Sequence, residues 1–178
     1  MAGRVAYRLT DGPIRTAAAA RLYAPLGGKG VEGAVGLDWA IAKGVRLSAE
    51  RRIGLDRAGR DAWSVYAAGG IYRDPRPGIV IDSYAQAGLV GAARRDLFVD
   101  GAVRAGKRIA IGQSSLIVGA GVWGAAQPGV SRLDAGPRVG ASLPVAKGSV
   151  SMALEGRFRI AGRARPGSGA ALTIGFDL

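Results

Sequence analysis

The sequence predicts an all-β protein, specifically a closed antiparallel up-and-down transmembrane β-barrel of about ten to twelve strands. Three observations point there. Turn residues recur about every dozen positions. The segments between them alternate apolar and polar side chains with a period of two. The charges fall almost entirely on one parity of each segment.

The elements follow in order. Val5, Tyr7 and Leu9 alternate with Arg4 and Arg8 before the turn DGP at 11–13. Residues 16–24, TAAAARLYA, have helical propensity through alanine, but the period-two neighbourhood makes them a strand, with Arg15 and Arg21 on its charged side. After PLGGKG (25–30), VEGAVGLDWAI (31–41) puts Val31, Val35, Leu37, Trp39 and Ile41 on one face and Glu32 and Asp38 on the other. AKG (42–44) leads into VRLSAERRI (45–53), where Val45, Leu47 and Ile53 oppose Arg46, Glu50 and Arg52, and Arg51 is the one charge on the apolar parity. LDRAGRD (55–61) precedes a strand with Trp63, Val65 and Ile71, and RDPRPG (73–78) precedes one with Asp82. GAARRD (91–96) opens a strand that sets Leu97, Val99 and Val103 against Asp100 and Arg104. GKRIAIGQ (106–113) leads to SLIVGAGVWGA (115–125), which is apolar or small on both faces.

Beyond QPG (127–129), Arg132, Asp134 and Arg138 share a face, and Pro137, lacking a ladder donor, predicts a bulge or an edge. PVAKG (144–148) is followed by Val150, Met152, Leu154, Phe158 and Ile160 against Glu155, Arg157 and Arg159. GRARPGSG (162–169) precedes the last strand, with Leu172, Ile174, Phe176 and Leu178 against Asp177. These ten turns delimit eleven candidate strands.

One pattern fits two opposite proteins. A soluble β-barrel or β-sandwich that binds an acidic ligand would turn the valines inward and leave the charges in water. A membrane barrel would do the reverse. Strand length favours the barrel, because most segments reach the roughly 9–11 residues that a tilted membrane-spanning strand needs, beyond the ~5–6 of globular strands. So does the mixing of signs. Arg pairs bidentately with carboxylates in a narrow lumen, and Lys is nearly absent from the strands. The expected lumen network is Glu32, Asp38, Arg46, Glu50, Arg52, Asp82, Asp100, Arg104, Arg132, Asp134, Arg138, Glu155, Arg157 and Arg159. Trp39, Trp63, Trp123, Phe158 and Phe176 are the expected lipid-facing or girdle residues, since amphipathic rings favour the headgroup level.

Composition narrows the chemistry. The chain of 178 residues is expected to be one domain, 1–178, and carries 25 Lys and Arg against 13 Asp and Glu, a net charge of +12. That excess favours anionic partners. With no histidine and no cysteine, the usual general base, zinc ligand and thiolate nucleophile are all missing, so no enzyme, metal site or cofactor is expected. Gly at 30 positions and aromatics at only 6% argue for close backbone approach in place of an aromatic-rich core. No apolar run of about 18 residues exists to form a transmembrane helix. Arg4, Arg8 and Asp11 interrupt any signal-peptide pattern near Met1, so the chain reads as the C-terminal part of a longer exported precursor.

LSAERRIGLDRAGRDAWSVYAAGG (47–70), YAQAGLVG (84–91), RRDLFVDGAVRAG (94–106) and RLDAGPRVGASLP (132–144) resemble the C-terminal barrel regions of proteobacterial envelope proteins. They are similar to the barrels that follow tetratricopeptide repeats in exopolysaccharide-export and phage-adsorption proteins. The resemblance spans 47–144 and consists of strand patterns. It implies an outer-membrane pore or anchor. GAALTIGFDL also looks like the terminal strand that outer-membrane barrels present to their assembly machinery, with Leu178 where an aromatic is usual.

The remaining motifs add little chemistry. PLGGKG lacks the spacing of a phosphate-binding loop, so Lys29 reads as a plain loop residue. Glu32 and Asp38, facing Arg46, Glu50 and Arg52, are expected to join a salt-bridged plug. Arg57, Arg60, Arg94, Arg95, Arg163 and Arg165 fall in alternate loops, hence at one end of an up-and-down barrel, where they read as a solvated set or as ligands for lipid phosphates. The expected partners are outer-membrane lipid or lipopolysaccharide and an anionic polysaccharide or small solute. Basic residues alternate with acids and no stacking platform exists, so nucleic acid is not expected.

Overall fold

A computed structural model of the chain describes residues 2–12, 14–23, 31–56, 61–91, 96–145, 148–165 and 167–177. The strands are β1 (Ala2–Arg8), β2 (Arg15–Tyr23), β3 (Glu32–Ala42), β4 (Val45–Gly54), β5 (Ala62–Arg76), β6 (Ile79–Gly91), β7 (Asp96–Ile111), β8 (Ser114–Gln127), β9 (Val130–Val145), β10 (Gly148–Gly162) and β11 (Gly169–Asp177). Among the described residues there is no helix. All eleven strands belong to one sheet in sequence order, β1 to β11. The alanine-rich segment 15–23 is a strand because its partners on both sides are strands.

Each turn predicted from the sequence separates two strands. Where it was read too wide, the strands run further: β5 continues through Asp74–Arg76, and β7 through Ile111. The connections are two residues at 43–44, 77–78, 112–113, 128–129 and 146–147. Gly44 and Gly78 close two of these at φ of 75° and 76°, in the left-handed region that only glycine enters freely.

The sheet is open, in contrast to the closure that the sequence predicts, and β1 and β11 are its edges. With eleven strands in up-and-down order the first and last run in the same direction, so antiparallel closure by these strands alone is impossible. Pro137 sits inside the sheet, not at an edge. The β9–β10 ladder breaks off at Glu155↔Arg138 and resumes in the same register at Phe158↔Ala135, leaving Pro137 opposite Gly156 at the gap. The true register shift comes later, between Arg159 and Ala161.

The chain forms two compact units, Met1–Gly69 with Gln86–Val99, and Gly70–Ala85 with Asp100–Leu178. In both, the usual burial of a soluble protein is inverted. In the first unit Val35, Leu37, Ile53, Trp63 and Val65 are exposed, while Asp38, Ser48, Glu50 and Ser64 are buried. In the second, Val118, Val139, Leu154 and Leu172 form one cross-strand row and all are exposed, while Asp134 and Glu155 are buried.

Register explains how charge is accommodated. Cross-strand rows on the buried face set charged residues beside small ones: Ala19–Gly36–Glu50–Ser64 and Ala17–Asp38–Ser48, with Tyr66 next, in the first unit, and Gly119–Arg138–Glu155–Ala171 in the second. A Cβ on Gly36 would strike the Ala49 carbonyl oxygen and come within 2.8 Å of the Glu50 Cα. The abundant glycine and alanine thus let long charged side chains lie across a tightly approached backbone.

Candidate functional site

Each unit holds its own buried polar cluster. In the first, Asp38 on β3 is the centre of one group. Arg4 on β1 pairs with its Oδ2, the Ser48 Oγ on β4 donates to its Oδ1 at 2.6 Å, and Arg46 Nε lies 3.7 Å from Oδ2. Glu50 on β4 is the centre of the second group. Tyr66 on β5 donates to Glu50 Oε1 at 2.7 Å, and Arg21 on β2 donates to the Tyr66 hydroxyl at 2.5 Å while its Nη2 lies 3.2 Å from Glu50. Arg4 and Arg21 are directly opposed in register, a like-charge pair that is costly unless each finds a carboxylate. Each does, one strand or more further on. Arg52 and Glu32 make a looser pair at 4.0 Å.

In the second unit three arginines from three strands converge on Glu155 of β10, which is only 3% exposed. Arg157 donates to its Oε2 through Nε at 3.0 Å and Nη2 at 2.6 Å. Arg138 Nε on β9 lies 3.3 Å from Oε1, and Arg104 Nε on β7 lies 3.7 Å from the same oxygen. Arg104 also grips Asp82 on β6 through Nη1, at 2.9 and 3.1 Å. On a flat sheet β7 and β10 would be about 14 Å apart, three strand spacings. The charged face of this unit is therefore concave.

Beside this hub lies a cavity of about 440 Å³ to which β6 through β11 all contribute. Its polar wall is Tyr84, Asp100, Arg132, Asp134 and Arg157, with Trp123 among them. Arg132 pairs with Asp134, and the Tyr84 hydroxyl donates to Asp100 Oδ2 at 3.3 Å. The other oxygens of both carboxylates, and Trp123 Nε1, are buried without a protein partner. Such atoms call for water or a polar solute in the cavity.

All fourteen residues expected in the charge network lie on the buried or half-buried face. Arg159 stands opposite Asp134 in register. Of the aromatic set, Trp63 at 61% and Phe158 at 60% are exposed on the apolar face, and Trp39 is half-buried there. Trp123 corrects the expectation. It is 4% exposed, stands opposite Asp134, and lies under the Arg157 guanidinium at 4.7 Å from the ring centroid. Strand parity puts it on the polar face, since Val118 and Val122 take the exposed one, and its indole occupies the space that a side chain at Gly121 would fill. The side chain of Phe176, and Leu178, Lys29, Arg57, Arg60, Arg94 and Arg95, lie outside the described residues. Arg163 and Arg165 are exposed.

Sequence reading missed Ser48 and Tyr66 as partners of the network, and Ser64, which stands opposite Glu50 in register with its Oγ unbonded. Parity carried the signal: in β5 the apolar positions are Trp63 and Val65, which puts Ser64 and Tyr66 opposite them. On the apolar face, Arg51 lies 5.5 Å from the Trp63 ring centroid and 3.4 Å from Asp61, which is how one cation is accommodated there. Among the described residues no three Asp or Glu side chains gather as a metal-ligand group.

No protein-family model matches this chain, and no curated protein and no solved structure matches it.

Proposed function

We propose that this chain is a transmembrane β-barrel of the bacterial outer membrane, serving as an anchor or narrow passage whose interior is lined by the arginine and carboxylate network. The observation that carries this reading is the inverted burial. Glu50, Asp134 and Glu155 are 2%, 1% and 3% exposed, while Trp63, Leu172 and Val5 are 61%, 66% and 74% exposed. Soluble monomers rarely show a contiguous apolar patch beyond a few hundred Å² (~300–600). Here whole cross-strand rows are exposed and apolar, which suits hydrocarbon as the outer solvent.

Loop lengths support the same reading. The connections after β3, β5, β7 and β9 have two residues each and that after β1 six, whereas in the alternate set those after β2, β4, β6 and β10 have eight, seven, four and six and that after β8 two. Outer-membrane barrels have short periplasmic turns and longer outer loops. Single-chain bacterial barrels also have an even strand count. In this reading one further strand, from an upstream segment or a second copy, completes the eleven. The resemblance of 47–144 to envelope-protein barrels points the same way. Outer-membrane lipid or lipopolysaccharide is then the partner of the apolar face, and an anionic polysaccharide or small solute the occupant of the interior.

The test is to refold the chain with and without detergent micelles and to follow circular dichroism and heat-modifiable gel migration. The reading predicts an all-β, heat-modifiable species in micelles only, followed by conductance measurements to separate passage from anchor. A monodisperse, folded protein in plain buffer would overturn it.

A further inference from the structure

Of the cations paired with Glu155, Arg138 has no hydrogen-bonded carboxylate of its own. Three guanidinium groups, of Arg104, Arg138 and Arg157, meet two carboxylates, of Asp82 and Glu155. Arg104 takes Asp82 through two hydrogen bonds. Arg157 takes Glu155 through two more. Arg138 has only its 3.3 Å approach to Glu155, and its buried Nε makes no hydrogen bond. Its side chain is 18% exposed, so it is a cation removed from most of its water that shares its one carboxylate with two other arginines, a costly state unless a further anion is at hand.

The free end of Arg138 faces a second cavity. Its Nη1 and Nη2 lie over Gly140, within 3.3 and 3.6 Å of where a Cβ on that residue would be. Gly140 lines a cavity of about 170 Å³ in the same unit, together with Arg138, Ser142, Ser151 and Thr173. Register builds this wall: Ser142 and Ser151 are partners across β9 and β10, Gly175 of β11 is next in the row, and Thr173 stands opposite Ala153 in the row beside it. A Cβ on Gly175 would come within 2.7 Å of Ser151 Oγ and turn that hydroxyl aside.

We infer that this cavity binds a small tetrahedral oxyanion, phosphate or sulfate. A guanidinium supplies charge-assisted donors in a fork that matches such an anion. Three hydroxyls, free to rotate, supply the rest. No carboxylate lines the cavity to repel the anion. The volume lies below the ~300–1,000 Å³ of small-molecule pockets and suits a single inorganic ion. The site lies on the charged face of the sheet, opposite the apolar rows, so the occupant is a free anion and not a lipid headgroup. The inference holds whether the outer face meets lipid or not.

The experiment is calorimetric titration of the folded full chain with sodium phosphate, then sulfate, then chloride, in whichever medium folds it, using a detergent without a phosphate group where one is needed. Expected are saturable phosphate binding, competition by sulfate, and no competition by chloride at equal concentration. Arg138→Gln abolishes the binding. Ser142→Ala with Ser151→Ala, which keeps the cation, weakens it about tenfold, and this double variant carries the test if Arg138→Gln fails to fold. No saturable binding to the folded parent, chloride competing equally, or the serine variant binding like the parent would each overturn the inference. Folding in plain buffer with intact phosphate binding would overturn the membrane reading alone.

Discussion

Single residues decide how the buried face survives. Asp38 accepts from Ser48 and pairs with Arg4, so Asp38→Leu leaves a half-buried guanidinium and a buried hydroxyl without their acceptor. Its expected cost is about 1–3 kcal/mol in urea unfolding of the folded protein. A change below about 0.5 kcal/mol, as at an ordinary surface position, would count against a buried network. Arg104→Leu is expected to fall in the same range of ~1–3 kcal/mol, since Asp82 then loses both of its hydrogen bonds. Glu155→Gln is the harsher change, because Arg157 and Arg138 lose their carboxylate together; about 3–5 kcal/mol is expected, with Arg8→Leu as the silent control on an exposed pair. Charged partners were legible at this scale, since parity alone marks Asp38 and Glu155. Trp123 was not, because the 115–125 segment has no charge to show which of its faces is polar.

The strands themselves were legible through turn chemistry and period-two alternation, and their ends were not. RDPRPG and GKRIAIGQ read as turns because they are rich in Pro, Gly and charge. Arg108 holds them in the sheet: its Nη1 donates to Asp74 at 3.2 Å, its guanidinium meets the Tyr72 hydroxyl, and its backbone N–H donates to the Gly78 carbonyl at 2.7 Å. A long-range contact of this kind leaves no mark on local sequence. The glycines make the same point about close approach. Gly36→Val is expected to destabilise the fold by about 1–3 kcal/mol, since even a Cβ meets the β4 backbone. Gly124→Ala should be nearly silent, its nearest neighbour being the Leu133 side chain at 3.7 Å. Equal effects of the two on the unfolding midpoint would refute the register described for β3 and β4.

For the whole molecule, the all-β class and the up-and-down order follow from the sequence, because alternating strands joined by short turns have few other arrangements. Closure does not follow from local pattern. It depends on the strand count, and an odd count leaves two edges that run in the same direction. The central claim is the direction of the two faces: valines and exposed aromatics outward to hydrocarbon, charges inward. Single-tryptophan variants in bilayers containing brominated lipid test this most directly, keeping Trp63 in one and Trp123 in the other. Trp63, 61% exposed beside Val65, should be strongly quenched by the lipid bromines, and Trp123, 4% exposed under Arg157, should be shielded from them. Lipid quenching of Trp123 with Trp63 untouched and open to aqueous iodide would contradict the account.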